Sequence, residues 1–124
     1  MTVVDAGAIL ERYIELWNRQ RRGEWLACLD DRVSHEEPVG ATVRYGRDPF
    51  AEMFDLVAER FDAWPVIEIQ DLIACGHECA VRFTSTGVQS GVKVSTTAIE
   101  IWHVSEEGKL DGVRVFVVPR LGLL

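Results

Sequence analysis

Apolar residues in the first part of the chain recur every three and four positions. Ile9, Leu10, Tyr13, Ile14, Leu16 and Trp17 fall on one stripe, which predicts an amphipathic helix ending at Gly23. Trp25, Leu26 and Leu29 predict a short second helix over Glu24 to Leu29. A third helix is predicted from Phe50, Met53, Phe54, Val57 and Phe61, with Asp48 as its N-cap and Pro49 in its first turn. Trp64-Pro65 is expected to end it.

The rest of the chain changes period. Val33 to Glu37 and Thr42 to Tyr45 read as short extended pieces, the first stopped by Pro38 and Gly40. Val66–Ala74, Glu78–Thr86, Val92–Val104 and Leu110–Val118 read as strands, separated by turns at Cys75-Gly76-His77, near Gly87 to Gly91, and at Glu106 to Lys109. Short turns between successive strands imply antiparallel pairing. Helices followed by a meander give an α+β class, one domain over residues 1–124. A curved sheet wrapping three helices would enclose a conical apolar pocket suited to a small ligand.

Composition narrows the function. The net charge of −7 argues against nucleic acid and anionic membrane surfaces as partners. The basic cluster Arg19-Gln-Arg-Arg22 is expected to complement the dipole at the first helix's end. No apolar run is long enough to span a membrane, and the N-terminus lacks the marks of a signal peptide, so a cytoplasmic location is expected. Cys28, Cys75 and Cys79 lack zinc-site spacing and are expected as reduced thiols packed like small hydrophobes. Neither metal nor cofactor is implied, since there is no ligand cluster and no glycine-rich phosphate loop.

Two acidic positions stand out. In SHEEPVG, residues two apart share a strand face, so Val33, His35 and Glu37 look one way while Ser34 and Glu36 look the other. Glu37 can then enter a cavity while Glu36 stays solvated. Glu100 lies inside the apolar run TTAIEIWHV, where a carboxylate must be paired or neutral. Its partner could be Arg82 or Arg114 on an adjacent strand; otherwise it is a site candidate. Parity groups Glu100 with Ala98 and Trp102. Tyr13, in the first helix's stripe, needs a hydroxyl partner if buried, and Glu100 would supply one. His77 and His103 receive no role, the first because it falls in a turn, the second because its parity is opposite to that of Glu100.

The segments ERYIELWN, LDDRVSHEEPVG, GRDPFAEMF, AIEIWHV and GKLDGVRVF occur in this order over nearly the whole chain. In these the sequence resembles the ketosteroid isomerase branch of the NTF2-like, SnoaL-like superfamily. The resemblance implies a cone of curved, antiparallel or mixed sheet around three helices. It implies Glu37 as general base, with Tyr13 and a protonated Glu100 as oxyanion hole. The well-known isomerases carry Asp at both acidic positions and a pocket tyrosine where this chain has Phe54. His35 stands where the family is apolar and is a candidate second acid or base. Trp17, Phe54, Phe61, Phe83, Ala98, Trp102 and Phe116 are the candidate substrate-binding wall, suited to a planar or polycyclic apolar substrate. The resemblance also implies a homodimer paired through the outer sheet face, where Ile99 and Ile101 fall.

Three functions compete. The first is proton transfer next to a carbonyl, as in isomerisation of an unsaturated ketone or cyclisation of a polyketide. The second is a hydrolase or dehydratase. An epoxide hydrolase of the superfamily uses an Asp-Arg-Asp arrangement, and here Ala98-Ile99-Glu100 offers no such arginine. The third is a non-catalytic binding module, for which the cone would be filled by side chains.

Overall fold

The computed structural model describes residues 4–117. In chain order the elements are α1 (Ala6–Asn18), α2 (Arg22–Ala27), β1 (Leu29–Glu36), β2 (Arg44–Tyr45), α3 (Asp48–Arg60), β3 (Ala63–Cys75), β4 (Glu78–Gln89), β5 (Val92–Val104) and β6 (Leu110–Val117). The expected strand end at Val118 lies outside the described residues. The strands form one six-stranded sheet in the order β2-β1-β6-β5-β4-β3. From β3 to β6 the pairing is antiparallel, as the short turns require, but β1 lies parallel to β6. The α+β class and the cone therefore stand, with a mixed sheet that stays open.

Several boundaries move. Helix α1 stops at Asn18, with Gln20 at positive φ, and Gly23 lies inside α2. Asn18 accounts for the earlier stop. Its side chain both donates to the Ile67 carbonyl and accepts from the Ile67 N–H, at 2.9 and 2.8 Å, so it bonds the β3 edge as a strand would. The arginines after it form ion pairs, Arg19 with Glu15 and Arg22 with Asp55, both at 2.9 Å, instead of serving the helix terminus. Leu29 belongs to β1, not to a second helix. Asp48 is the first residue of α3, not its cap. The preceding Arg47 points its guanidinium at the Leu29 carbonyl, which ties the helix start to β1.

Helix α3 ends at Arg60, and Trp64-Pro65 lies in β3. Proline is tolerated there because β3 is an edge strand and its pairing with β4 shifts between Ala63 and Val66. Opposite this bend β4 carries Gly87. A Cβ there would come within 2.8 Å of the Ala63 carbonyl and 2.9 Å of Phe61 and Pro65. Glycine thus lets β3 fold over β4 and carries Phe61 and Pro65 into the cone.

Buried residues of α1, α2 and α3 meet the inner sheet face in one core that includes Leu10, Trp25, Phe50, Val81 and Trp102. Among the described residues no helix is long and apolar enough to cross a membrane, and no group of His, Cys, Asp and Glu is arranged to hold a metal. Cys79 is buried and Cys28 half-buried, but Cys75 is exposed, so it does not pack as a small hydrophobe. It sits at the edge strand's turn, where none of the described elements covers it.

Candidate active site

The three helices and the sheet leave a cavity of about 290 Å³. Its wall is mostly apolar, and six of its lining residues carry a hydroxyl, imidazole or carboxyl group: Tyr13, His35, Glu37, Ser85, Thr96 and Glu100. Tyr13 comes from α1, His35 from β1, Glu37 from the residue after it, and Glu100 from the middle of β5. These four lie close enough to act on one another electrostatically. The structure thus brings all four candidate catalytic residues to one cavity.

Glu100 is placed by register. It stands opposite Val81 on β4 and Val115 on β6, so both flanking neighbours are apolar. The side chain keeps some accessible surface as part of the cavity wall, but enough protein surrounds it for desolvation to dominate. Its carboxyl is pushed up to about 7, chiefly by burial and further by the charge of Glu37; the Trp102 hydrogen bond and His35 pull the other way. Trp102, two residues on and on the same face, donates from Nε1 to Glu100 Oε1 at 2.9 Å. The alternative of an ion pair does not arise: Arg82 pairs with Asp71 at 2.5 Å and Arg114 with Glu36 at 3.0 Å, both on the outer face.

Glu37 has the opposite surroundings. Its side chain is 42% exposed, and His35 Nε2 stands 3.7 Å from its Oε1, with the imidazole 13% exposed and its ring 4.8 Å from that of Phe50. That separation is too long for a direct hydrogen bond but within reach of an electrostatic contact. The turn that holds Glu37 is fastened from outside. Glu36 accepts from the Gly40 N–H at 2.8 Å and from Arg114 Nε at 3.0 Å, and the Val39 N–H donates to the Val115 carbonyl at 2.9 Å. Gly40, at φ +100°, supplies the backbone conformation the turn needs. Glu36, which strand parity assigns to solvent, is instead the clamp of this turn. Those two donors hold its carboxyl below the usual carboxylate range, the Gly40 N–H more than Arg114.

Tyr13 is buried, and its hydroxyl is held well above the ordinary tyrosine range, first by burial and then by Glu100. It is therefore a neutral donor at physiological pH. The expected hydrogen bond to Glu100 is not made among the described residues; both groups line the cavity. Trp25 stacks on Tyr13 with ring centroids 5.3 Å apart and planes 23° apart, and its buried Nε1 has no partner among the described residues. Trp25, expected on the apolar face of a helix and in the core, also lines the cavity.

Of the expected wall, Trp17, Phe61, Phe83, Ala98 and Trp102 line the cavity. Two others do not. Phe54 lies behind the wall, its ring 5.6 Å from Trp17 and 4.8 Å from Trp64. Phe116 points out of the cone, 41% exposed, with the Arg114 guanidinium 5.6 Å from its ring. The cause is strand parity: Val113, Val115 and Val117 take the inward positions of β6. Residues that sequence reading missed include Met53, Val57, Ser85 and Thr96. The last two share parity with Phe83 and Ala98, which was the available signal.

A profile of the SnoaL-like domain matches residues 10–113. No curated protein matches the chain. Among solved structures, SalBIII, an epoxide hydrolase/cyclase-like enzyme with a role in pyran ring formation in the polyether salinomycin, is similar over 90% of this chain and 88% of its own, with 26% identity and a TM-score of 0.79. An LEH-like epoxide hydrolase of M. tuberculosis is similar at 17% identity and a TM-score of 0.77, over 91% of this chain and 78% of that one. A protein assigned as a polyketide cyclase from Xanthomonas campestris pv. campestris gives 17% identity and 0.74, over 91% and 90%. The two at 17% identity share the fold.

Proposed function

The chain belongs to the SnoaL-like domain family of the NTF2-like superfamily, and from that premise we propose that it is an acid–base enzyme moving a proton next to a carbonyl of an apolar, polycyclic-sized substrate. The observation that carries this reading is the convergence of Tyr13, Glu37 and Glu100 on one apolar cavity that side chains do not fill. That convergence also counts against a non-catalytic binding module. Glu37, reached by water and flanked by His35, takes the proton from the carbon beside the carbonyl. The electron pair moves onto the carbonyl oxygen, where neutral Tyr13 and protonated Glu100 donate hydrogen bonds. Returning the proton to a different carbon completes an isomerisation of the ketosteroid isomerase kind. Glu in place of Asp at both positions moves each carboxyl by more than about 1 Å, so the substrate sits differently from a steroid in those enzymes.

A second reading keeps the same roles and changes the electrophile. The similarity to SalBIII favours it. Glu37 with His35 would deprotonate a hydroxyl or water, and Glu100 would protonate the oxygen of the epoxide being opened. The missing arginine two residues before Glu100, where Ala98 stands, counts against the hydrolase form.

The test is deuterium exchange into an α,β-unsaturated ketone in D2O, with binding of equilenin, a phenol that mimics a dienolate, measured alongside. Glu37→Gln is expected to lower exchange by about 10³-fold while leaving phenol binding within about threefold. Unchanged exchange would sink the assignment, and epoxide opening without enone exchange would select the second reading.

A further inference from the structure

The cavity has a second polar end. On the outer face of the β4–β5 ribbon, hydroxyls meet in pairs: Thr84 with Thr97 and Thr86 with Ser95, each at 3.2 Å. On the inner face the same register sets Ser85 opposite Thr96, and both line the cavity. Among the described residues these two hydroxyls bond neither each other nor any other side chain. An outer hydroxyl that loses its neighbour still has bulk water; an inner one in an apolar wall depends on whatever fills the cavity.

The spacing is informative. Along β5, Thr96 lies four residues from Glu100, roughly 13 Å at strand rise. Phe83 and Ala98, opposite one another, fill the interval with apolar surface. The wall therefore alternates polar, apolar and polar along its length. Among the described residues no Lys or Arg lines the cavity, and His35 stands at the other end, so none of them compensates a carboxylate, sulfate or phosphate at the distal end.

We propose that Ser85 and Thr96 form a distal subsite for a neutral carbonyl or hydroxyl oxygen, so that the substrate is an elongated, uncharged, largely apolar molecule oxygenated at both ends. Each hydroxyl donates and accepts, so the pair takes either kind of oxygen. The proposal rests on the reading that the proximal oxygen binds at Tyr13 and Glu100, and it adds the length, charge and second functional group of the substrate.

Three probes separate the two ends: 4-hydroxybiphenyl, 4′-acetyl-4-hydroxybiphenyl and 4-acetylbiphenyl. Their Kd values are measured on the wild type, on Ser85→Ala/Thr96→Val and on Tyr13→Phe. The acetyl group of the hydroxybiphenyl is expected to tighten wild-type binding by about tenfold, the range of one or two neutral hydrogen bonds. The double variant should lose that gain and bind 4-hydroxybiphenyl unchanged. A gain that survives in the double variant, or no gain in the wild type, overturns the proposal. If neither phenol binds, the proximal reading fails by itself, and 4-acetylbiphenyl decides the distal one. Weakening of about tenfold in the double variant but not in Tyr13→Phe supports the subsite, and equal binding refutes it. Thr96→Val keeps a β-branched residue in the strand and Ser85→Ala removes only a hydroxyl; an unchanged thermal midpoint confirms folding.

Discussion

Glu37 and Glu100 are the same residue type in one cavity, yet the fold treats them oppositely. Glu100 sits mid-strand between Val81 and Val115, deep in the sheet, with one indole N–H for company. Its carboxyl is pushed up to about 7. Glu37 sits one residue past the end of a strand, 42% exposed, on a turn clamped by Glu36. A central strand position removes water from a carboxyl on both sides, while a strand end leaves one side open. One residue type thus meets two environments, and this is what supports the proposed division into an acid at Glu100 and a base at Glu37.

Removing the acid gives the largest effect on that contrast. Glu100→Ala is expected to lower kcat about 10²- to 10³-fold, the usual consequence of deleting one donor to a developing oxyanion. Glu100→Gln, which still donates through its amide, should recover part of that loss. Steady-state turnover of the two variants is the measurement, and equal losses would mean that the proton of Glu100 matters more than its hydrogen bond.

The contrast also sets a pH dependence. Glu100 has a folded pKa above its ordinary 4.5, so the folded state binds its proton more tightly than the unfolded state. Stability from this group is complete below about 4.5 and is lost as pH rises towards 7, by about 1.4 kcal/mol per pH unit and about 3 kcal/mol in all. Chemical denaturation from pH 4.5 to 8 should show the decline, and Glu100→Gln should flatten it. Activity that needs the protonated acid should fall above about pH 7 in the wild type.

The smallest effect comes from the turn. Glu36→Gln weakens the bonds from Gly40 and Arg114 without touching the cavity. A loss of a few-fold in kcat with KM nearly unchanged is expected, with little change in stability, since both bonds are screened by solvent. A drop as large as that of Glu37→Gln would make Glu36 the base and reverse the strand parity.

Alternation along SHEEPVG sufficed to place Glu37 and His35 on one face, and alternation along AIEIW grouped Glu100 with Ala98 and Trp102, because side-chain direction in a strand depends only on parity. The helical stripes predict α1 and α3 by the other periodicity, since side chains three and four residues apart share a helix face. Phe116 and Phe54 went astray because apolarity does not say which face of a strand or helix looks into a cavity and which onto other elements. The cap expected at Asp48 yielded to Arg47, whose target, the Leu29 carbonyl, is eighteen residues away. The parallel joining of β1 to β6 was equally invisible, since nothing local records a partner about eighty residues on. The sequence by itself determined the elements, which residues of each strand share a face and the chemical types available. Only the tertiary structure decided which of them share a cavity and how deeply each is desolvated, and hence that the Glu100 carboxyl is pushed up. Desolvation is a property of everything around a group, and no stretch of chain holds that information alone.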